Sequence, residues 1–172
     1  MTRVVAHILG MREVTDEIDA RLIAAVGEVF SDDFSYVRFW QVQPGTLADR
    51  VARWYGPKAA AFAWTRHVIF PVGSEGAYCG LNQILVPAHA NTLAHELWHV
   101  RDARRAGLLR FGLHFLRELR RRGLAGMVHA PHEVAAREAA ARFVASARYA
   151  ALVEQCRAEQ QRAPQGLQRG AN

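Results

Sequence analysis

Residues 92–100 have the sequence TLAHELWHV, in which two histidines and one glutamate stand among uncharged residues. His95 and His99 are four positions apart, so on a helix their side chains lie about 40° apart on one face. Uncharged neighbours on every side are typical of a helix that is buried in a core. The segment therefore predicts a buried helix that directs both imidazoles to one point.

The pattern H-E-x-x-H predicts a zinc site. Zinc binds neutral imidazole nitrogens together with a carboxylate and leaves a fourth position for water, and Glu96 lies beside the two histidines, where it can accept a proton from that water. In a chain with 8 histidines, random order would produce the pattern about 0.02 times. The residues thus favour hydrolysis with Glu96 as general base. The alternative is two partly buried histidines and a surface glutamate without a joint role.

The chain after position 90 has a helical pattern throughout. Glycine commonly follows the last residue of a helix, and proline is favoured at the first helical position. These preferences predict a motif helix from an N-cap at Asn91 or Thr92 to Gly107, a second helix over 108–122 that Gly123 ends, and a third from Pro131 to about Gln161.

The first 90 residues alternate short strand-like and helical segments. The predicted elements are a strand over 3–9, a helix over 15–30, a strand over 36–42, a short helix that Thr46 and Asp49 cap, a hairpin over 61–72, a loop over 73–80 and an edge strand over 81–86. This order predicts an α+β fold, with a small N-terminal sheet and its helices followed by a helical half that carries the motif. The length fits a single domain over 1–163 with a flexible tail over 164–172.

The motif resembles that of the zincin metallopeptidases, which have uncharged residues around H-E-x-x-H and often Thr three positions before the first His, as Thr92 is here. The chain is also similar, over roughly residues 60–145, to the metallopeptidase domain that accompanies bacterial contractile injection systems and toxins. That similarity rests on residues 92–100 and on Pro131-His132-Glu133. It implies a zincin-like fold, one Zn²⁺ per chain and cleavage of a peptide or protein substrate.

A zinc site of this type needs a third protein ligand, and no histidine follows His99 at the spacing of the metzincin signature. Glu133, with Ala three residues later, resembles the E-x-x-A segment of zincins whose third ligand is glutamate. The resemblance therefore implies a metal set of His95, His99 and Glu133. His129, His132 and Glu138 remain alternatives for the third position.

The positive charge of the chain is concentrated after the motif. Residues 101–172 contain 14 Lys+Arg against 6 Asp+Glu, whereas residues 1–100 contain 8 against 10. Between Arg101 and Arg122 the arginines alternate with apolar residues at helical spacing, which predicts a solvated arginine face above a buried apolar face. A weak contact with nucleic acid or with an anionic surface is the alternative for this stretch.

Two functions therefore compete. The first is a zinc-dependent metallopeptidase, and the second is a catalytically inactive zincin-like module that binds nucleic acid, a membrane or a protein through the arginine-rich helix. Tyr78 and Tyr149 are of a type that stabilises an oxyanion, but their position is not predictable from the sequence. No signal peptide or membrane-spanning segment is predicted, so we expect a cytoplasmic protein.

Overall fold

A four-stranded mixed sheet and a set of helices make up the computed structural model, which describes residues 3–55, 61–74 and 81–162. The helices in these ranges are α1 (Arg3–Leu9), α2 (Ala20–Phe30), α3 (Leu47–Tyr55), α4 (Asn82–Leu85), α5 (Pro87–Ala106), α6 (Leu108–Gly126), α7 (Pro131–Val144) and α8 (Ala147–Arg162), with short 3₁₀ helices at Thr15–Glu17 and Met127–His129. The predicted α+β class is confirmed, with the strands in the first half of the chain. No helix in the described ranges has the length and apolar character needed to cross a bilayer.

The sheet has the order β1-β2-β4-β3, formed by β1 (Met11–Glu13), β2 (Arg38–Val42), β3 (Phe62–Trp64) and β4 (His67–Phe70). β2 and β4 are parallel, and the other two pairings are antiparallel. The predicted hairpin is confirmed as β3 and β4, and the strand predicted over 36–42 as β2. β3 is an edge strand, and it packs along α5.

Helix α5 is the centre of the main core. Leu93, Ala94, Leu97 and Val100 are almost completely buried there. Its most extensive partner is α7, in which Ala136, Ala139 and Ala140 are completely buried, the last two in the same core cluster as the α5 residues. Small side chains allow two helix backbones to approach closely. The packing therefore holds the motif helix and the start of α7 in a fixed relation.

The prediction of a strand over residues 3–9 is wrong, because these residues form α1. A short apolar run does not distinguish a strand from a buried helix. Here Ala6 is buried in a small cluster with Trp40, and Gly10, at φ +76°, ends the helix with a bond from its N–H to the carbonyl of His7. The strand that pairs with β2 starts only at Met11.

The edge strand predicted over residues 81–86 is also wrong. The segment forms α4, which tertiary hydrogen bonds hold in place: the buried Gln83 amide accepts from the Asp19 backbone N–H at 2.8 Å and donates to the Glu17 carbonyl, and Tyr149 Oη donates to the Ile84 carbonyl at 2.7 Å. All three partners of α4 are more than 60 residues away in sequence, so local patterning carries no information about them.

Three helix boundaries also differ from the prediction. α5 begins at Pro87, before Asn91 and Thr92, because proline is favourable at the first helical position. The helix predicted over 15–30 begins as a 3₁₀ turn, and α2 starts after Asp19, which caps it. The helix predicted from 131 to 161 divides into α7 and α8 at Ser146, whose hydroxyl accepts from the Tyr149 N–H at 3.1 Å.

The remaining predictions have mixed outcomes. Gly107 and Gly123 interrupt the helical backbone as expected, with φ of +80° and +66°. In α3 the predicted cap is confirmed in part: the Asp49 N–H donates to Thr46 Oγ1, but the Asp49 carboxylate accepts from the N–H of Gly45. The single buried apolar face predicted for α6 is wrong, because Leu109, Leu113 and Leu116 are exposed. The predicted tail, most of the loop over 73–80 and Tyr78 lie outside the described residues.

The buried imidazole of His67 in β4 makes the stability of the fold sensitive to acid. Trp40 Nε1 donates to His67 Nδ1 at 3.0 Å, which requires an unprotonated Nδ1, and burial lowers the pKa of His67 to about 4. Between pH 6.5 and 4 the unfolded chain binds a proton that the folded chain excludes, so stability falls as the pH falls through this range. The loss is on the order of 3 kcal/mol. Urea unfolding at pH 7 and at pH 4.5 measures the change in the free energy of unfolding. This change should be smaller in His67→Gln than in the wild type. An equal change in both proteins would contradict the assignment of the pH dependence to His67.

Candidate metal centre

The two motif histidines meet on one face of α5. His95 Nε2 and His99 Nε2 are 3.1 Å apart. The apolar residues Leu93, Leu97 and Val100 fix the orientation of the helix, because their burial leaves no freedom for it to rotate. The predicted convergence of His95 and His99 is therefore present in the structure.

Glu133 reaches the same point from α7. Pro131 occupies the first position of this helix and places Glu133 in its first turn, directly opposite α5. Its carboxylate oxygens lie 3.2 Å from His95 Nε2 and 3.3 Å from His99 Nε2. The three residues form a group whose candidate ligand atoms are all within 4.8 Å of one another.

The spacing of these atoms fits a tetrahedral zinc ion. Ligand atoms about 2.1 Å from zinc and at tetrahedral angles are about 3.4 Å apart. The two imidazole nitrogens are 3.1 Å apart, and each lies 3.2 or 3.3 Å from a different oxygen of the Glu133 carboxylate, so the separations are close to that value. Two imidazoles with one carboxylate are a donor set that zinc binds. His95, His99 and Glu133 therefore fit a zinc ion in the type of their donor atoms and in the approximate distances between them.

The electrostatics of the cluster favour an ionised Glu133. Burial disfavours its charge, but hydrogen bonds with His95 and His99 outweigh that cost and hold the pKa of Glu133 far below its usual range. At His99, burial opposes protonation, yet the hydrogen bond to Glu133 and the nearby Glu96 raise its pKa. The ionised carboxylate of Glu133 therefore favours a positive charge beside it, on a protonated His99 or on a bound cation.

Glu96 is buried beside the two histidines, with an exposed fraction of 6 %. Burial raises the pKa of Glu96, and the charges of His99 and His95 only partly oppose this effect. The backbone N–H of Ala63, on the edge strand β3, acts on the same carboxyl group and favours its ionised form. The sequence predicted Glu96 as a site residue, but it gave no sign of the contribution from β3.

The other candidates for the third metal ligand, His129, His132 and Glu138, do not join His95 and His99. His129 and Glu138 are exposed, and neither belongs to the ligand group. His132 is buried, with its Nε2 3.7 Å from a Glu133 oxygen and its Nδ1 without a hydrogen-bond partner among the described residues. The structure therefore places Glu133 next to His95 and His99, and His132 lies outside this ligand group. Tyr149 is also excluded from the site, because its hydroxyl bonds to the backbone of α4.

Arg101 follows the motif on α5 and is turned towards the body of the protein, with a side-chain exposure of 15 %. Its guanidinium lies over the ring of Trp98, 4.4 Å from the ring centroid, and its Nε is 3.9 Å from a carboxylate oxygen of Asp32. Trp98 also makes an edge-to-face contact with Phe30 of α2. Arg101 thus belongs to the packing of α5 and not to the metal cluster.

No protein-family model matches the chain, and neither a curated protein nor a solved structure shows significant similarity to it.

Proposed function

We propose that this protein is a zinc-dependent metallopeptidase of the zincin type, with a zincin-like fold. The observation that carries the proposal is the convergence of His95, His99 and Glu133 from two helices at the spacing of zinc ligands, with the buried Glu96 next to them. The resemblance of residues 92–100 to the zincin motif supports the same conclusion.

In the proposed reaction the metal supplies Lewis-acid chemistry, and the side chains of the protein bind the metal and transfer the proton. A bound zinc ion would supply Lewis-acid chemistry, lowering the pKa of water and polarising a carbonyl group. His95 and His99, as neutral imidazoles, and Glu133, as a carboxylate, would hold it. Glu96 would accept the proton of the attacking water and deliver it to the leaving amine, a task suited to a carboxyl group whose pKa is raised by burial.

The edge strand β3 favours a peptide as the substrate. Among the described strands β3 pairs with β4 alone, and Ala63 of β3 lies close enough to Glu96 to influence its charge. An extended peptide can add to the open edge of a sheet through backbone hydrogen bonds. A peptide on this edge would have its backbone beside Glu96, whereas a compact small molecule would make no use of the strand.

Metal content is the first test of the proposal. Protein purified without a metal-binding tag should contain about one zinc per chain by mass spectrometry, because three protein ligands are typical of a catalytic zinc site. His95→Ala should lose the metal, and Glu138→Ala, on the exposed side of α7, should retain it. A wild-type protein that binds no zinc even when zinc is added would refute the site.

Cleavage of a proteome-derived peptide library is the second part of the test. We expect new peptide termini that depend on zinc and disappear in the presence of a chelator. If zinc binds stoichiometrically but no cleavage occurs in the library, the peptidase proposal loses its support and the inactive binding module takes its place.

A further inference from the structure

We propose that α6 binds the surface of an anionic phospholipid membrane through one side of the helix, which we term the Leu-Arg face. This face comprises three leucines and the arginines beside them: Leu109, Leu113, Leu116, Arg110, Arg117, Arg120 and Arg121. The inference does not depend on the proposed peptidase activity, because none of these residues belongs to the metal cluster.

The three leucines form a continuous exposed stripe. Leu109, Leu113 and Leu116 are 84 %, 69 % and 54 % exposed, and their spacing of four and three residues places them within about 60° of one another around the helix. A stripe of large aliphatic side chains at helical spacing is normally buried. In α6 it points away from the body of the protein, so it lacks a partner within the described chain.

The opposite side of α6 is the one that packs. Phe111 and Phe115 are partly buried, with ring centroids 6.4 and 6.3 Å from that of His132, and Glu118 is buried. These residues lie roughly 180° from the leucines. The orientation of α6 is therefore fixed by its own contacts, and the leucines are not a core face that has been rotated outward.

The arginines of the face provide charge complementarity to an anionic surface. Arg117, Arg110 and Arg121 follow the leucine stripe along one flank, and Arg120 continues the stripe itself. Arg110, Arg117 and Arg120 are exposed and take part in no ion pair within the described ranges, whereas Arg121 and Arg122 contact the buried Glu118. Leucines beside unpaired arginines form the pattern of a helix that lies in a membrane interface.

This combination favours a membrane over other partners. Nucleic acid would use the arginines but would leave three leucines in water, since phosphate contacts carry such binding. A second copy of the chain would cover the leucines but would bring the two sets of arginines together, and like charges oppose that arrangement. An anionic bilayer can contact the leucines and the arginines together, because its acyl chains would bury the leucines and its headgroup phosphates would pair with the arginines.

Sedimentation with lipid vesicles tests this inference. The complete protein should bind vesicles of phosphatidylcholine with 30 % phosphatidylserine far more strongly than pure phosphatidylcholine, and raising the salt from 0.1 to 0.5 M should weaken the binding. Each arginine near an anionic surface strengthens binding about fivefold, so Arg110→Gln, Arg117→Gln and Arg120→Gln combined should weaken it about a hundredfold. Leu109→Asn with Leu113→Asn should weaken it more than tenfold.

Matched variants on α3 distinguish binding through the Leu-Arg face from non-specific binding through any exposed apolar residues. Val51→Asn with Leu47→Asn alters an exposed apolar pair of the same spacing on another helix, and it should leave vesicle binding unchanged. All the substituted side chains are exposed, so circular dichroism and the melting temperature should stay at wild-type values. Equal binding to neutral vesicles, an equal loss in the α3 variant, or binding to duplex DNA without binding to vesicles would each overturn the proposal.

Discussion

Replacement of Glu96 by glutamine is expected to eliminate peptide cleavage while zinc content stays at the wild-type level. Glutamine preserves the shape of the side chain, but it cannot accept a proton from water. Loss of a general base lowers the rate about 10²- to 10⁴-fold. Glu96 is not among the three residues whose atoms converge as candidate ligands, so metal binding should not change. Cleavage of the best library peptide, measured with zinc content on the same sample, gives both quantities.

The unfolding temperature of Glu96→Gln shows whether a loss of cleavage comes from the missing general base or from a disrupted fold. Because burial raises the pKa of Glu96, its ionised form is disfavoured by its surroundings, and a neutral amide removes that cost. Glu96→Gln should therefore unfold at the same temperature as the wild type or at a higher one. Glu138→Gln, on the exposed side of α7, serves as the control and should keep both activity and stability. Undiminished cleavage by Glu96→Gln would rule out the assigned role.

The sequence was sufficient to predict the motif helix and the hairpin, because both depend on local patterns. His95 and His99 at a spacing of four residues converge on any helix, and the hairpin of β3 and β4 follows from two short strand-like segments around a turn. Glu133 was predicted from the family resemblance, since nothing local joins it to residues nearly forty positions away. Its approach to the histidines depends on the packing of α5 against α7.

The errors occur where distant contacts determine the local conformation. α4 is held by hydrogen bonds to Glu17, Asp19 and Tyr149, and a pattern of six residues contains none of these partners. The same limit applies to α6, where the alternation of leucine and arginine predicted a helix correctly but predicted the burial of its leucines wrongly. The sequence could not show that Phe111 and Phe115 make the contacts with the body while the leucines remain exposed.

Zinc is expected to stabilise the fold, because its proposed ligands lie on two different helices. His95 and His99 belong to α5 and Glu133 belongs to α7, so the complete set exists only in the folded chain. An ion that binds only the folded state stabilises it by about 4 kcal/mol at a thousand times its dissociation constant. For a chain of this size, that corresponds to a rise of roughly 8–16 °C in melting temperature. Thermal unfolding with excess zinc and with a chelator measures the rise.

Glu133→Ala should lose most of this zinc-dependent rise, because it leaves two nitrogens on one helix and removes the ligand that joins α7 to α5. The matched variant Glu138→Ala deletes a carboxylate from the exposed side of the same helix and should keep the full rise. His129→Ala and His132→Ala test the other candidates for the third zinc ligand. If only one of these variants lost the zinc-dependent rise in melting temperature, that residue would be the third ligand instead of Glu133. An equal rise in Glu133→Ala and the wild type would show that α7 contributes no ligand through Glu133, and that zinc is held by α5 without it.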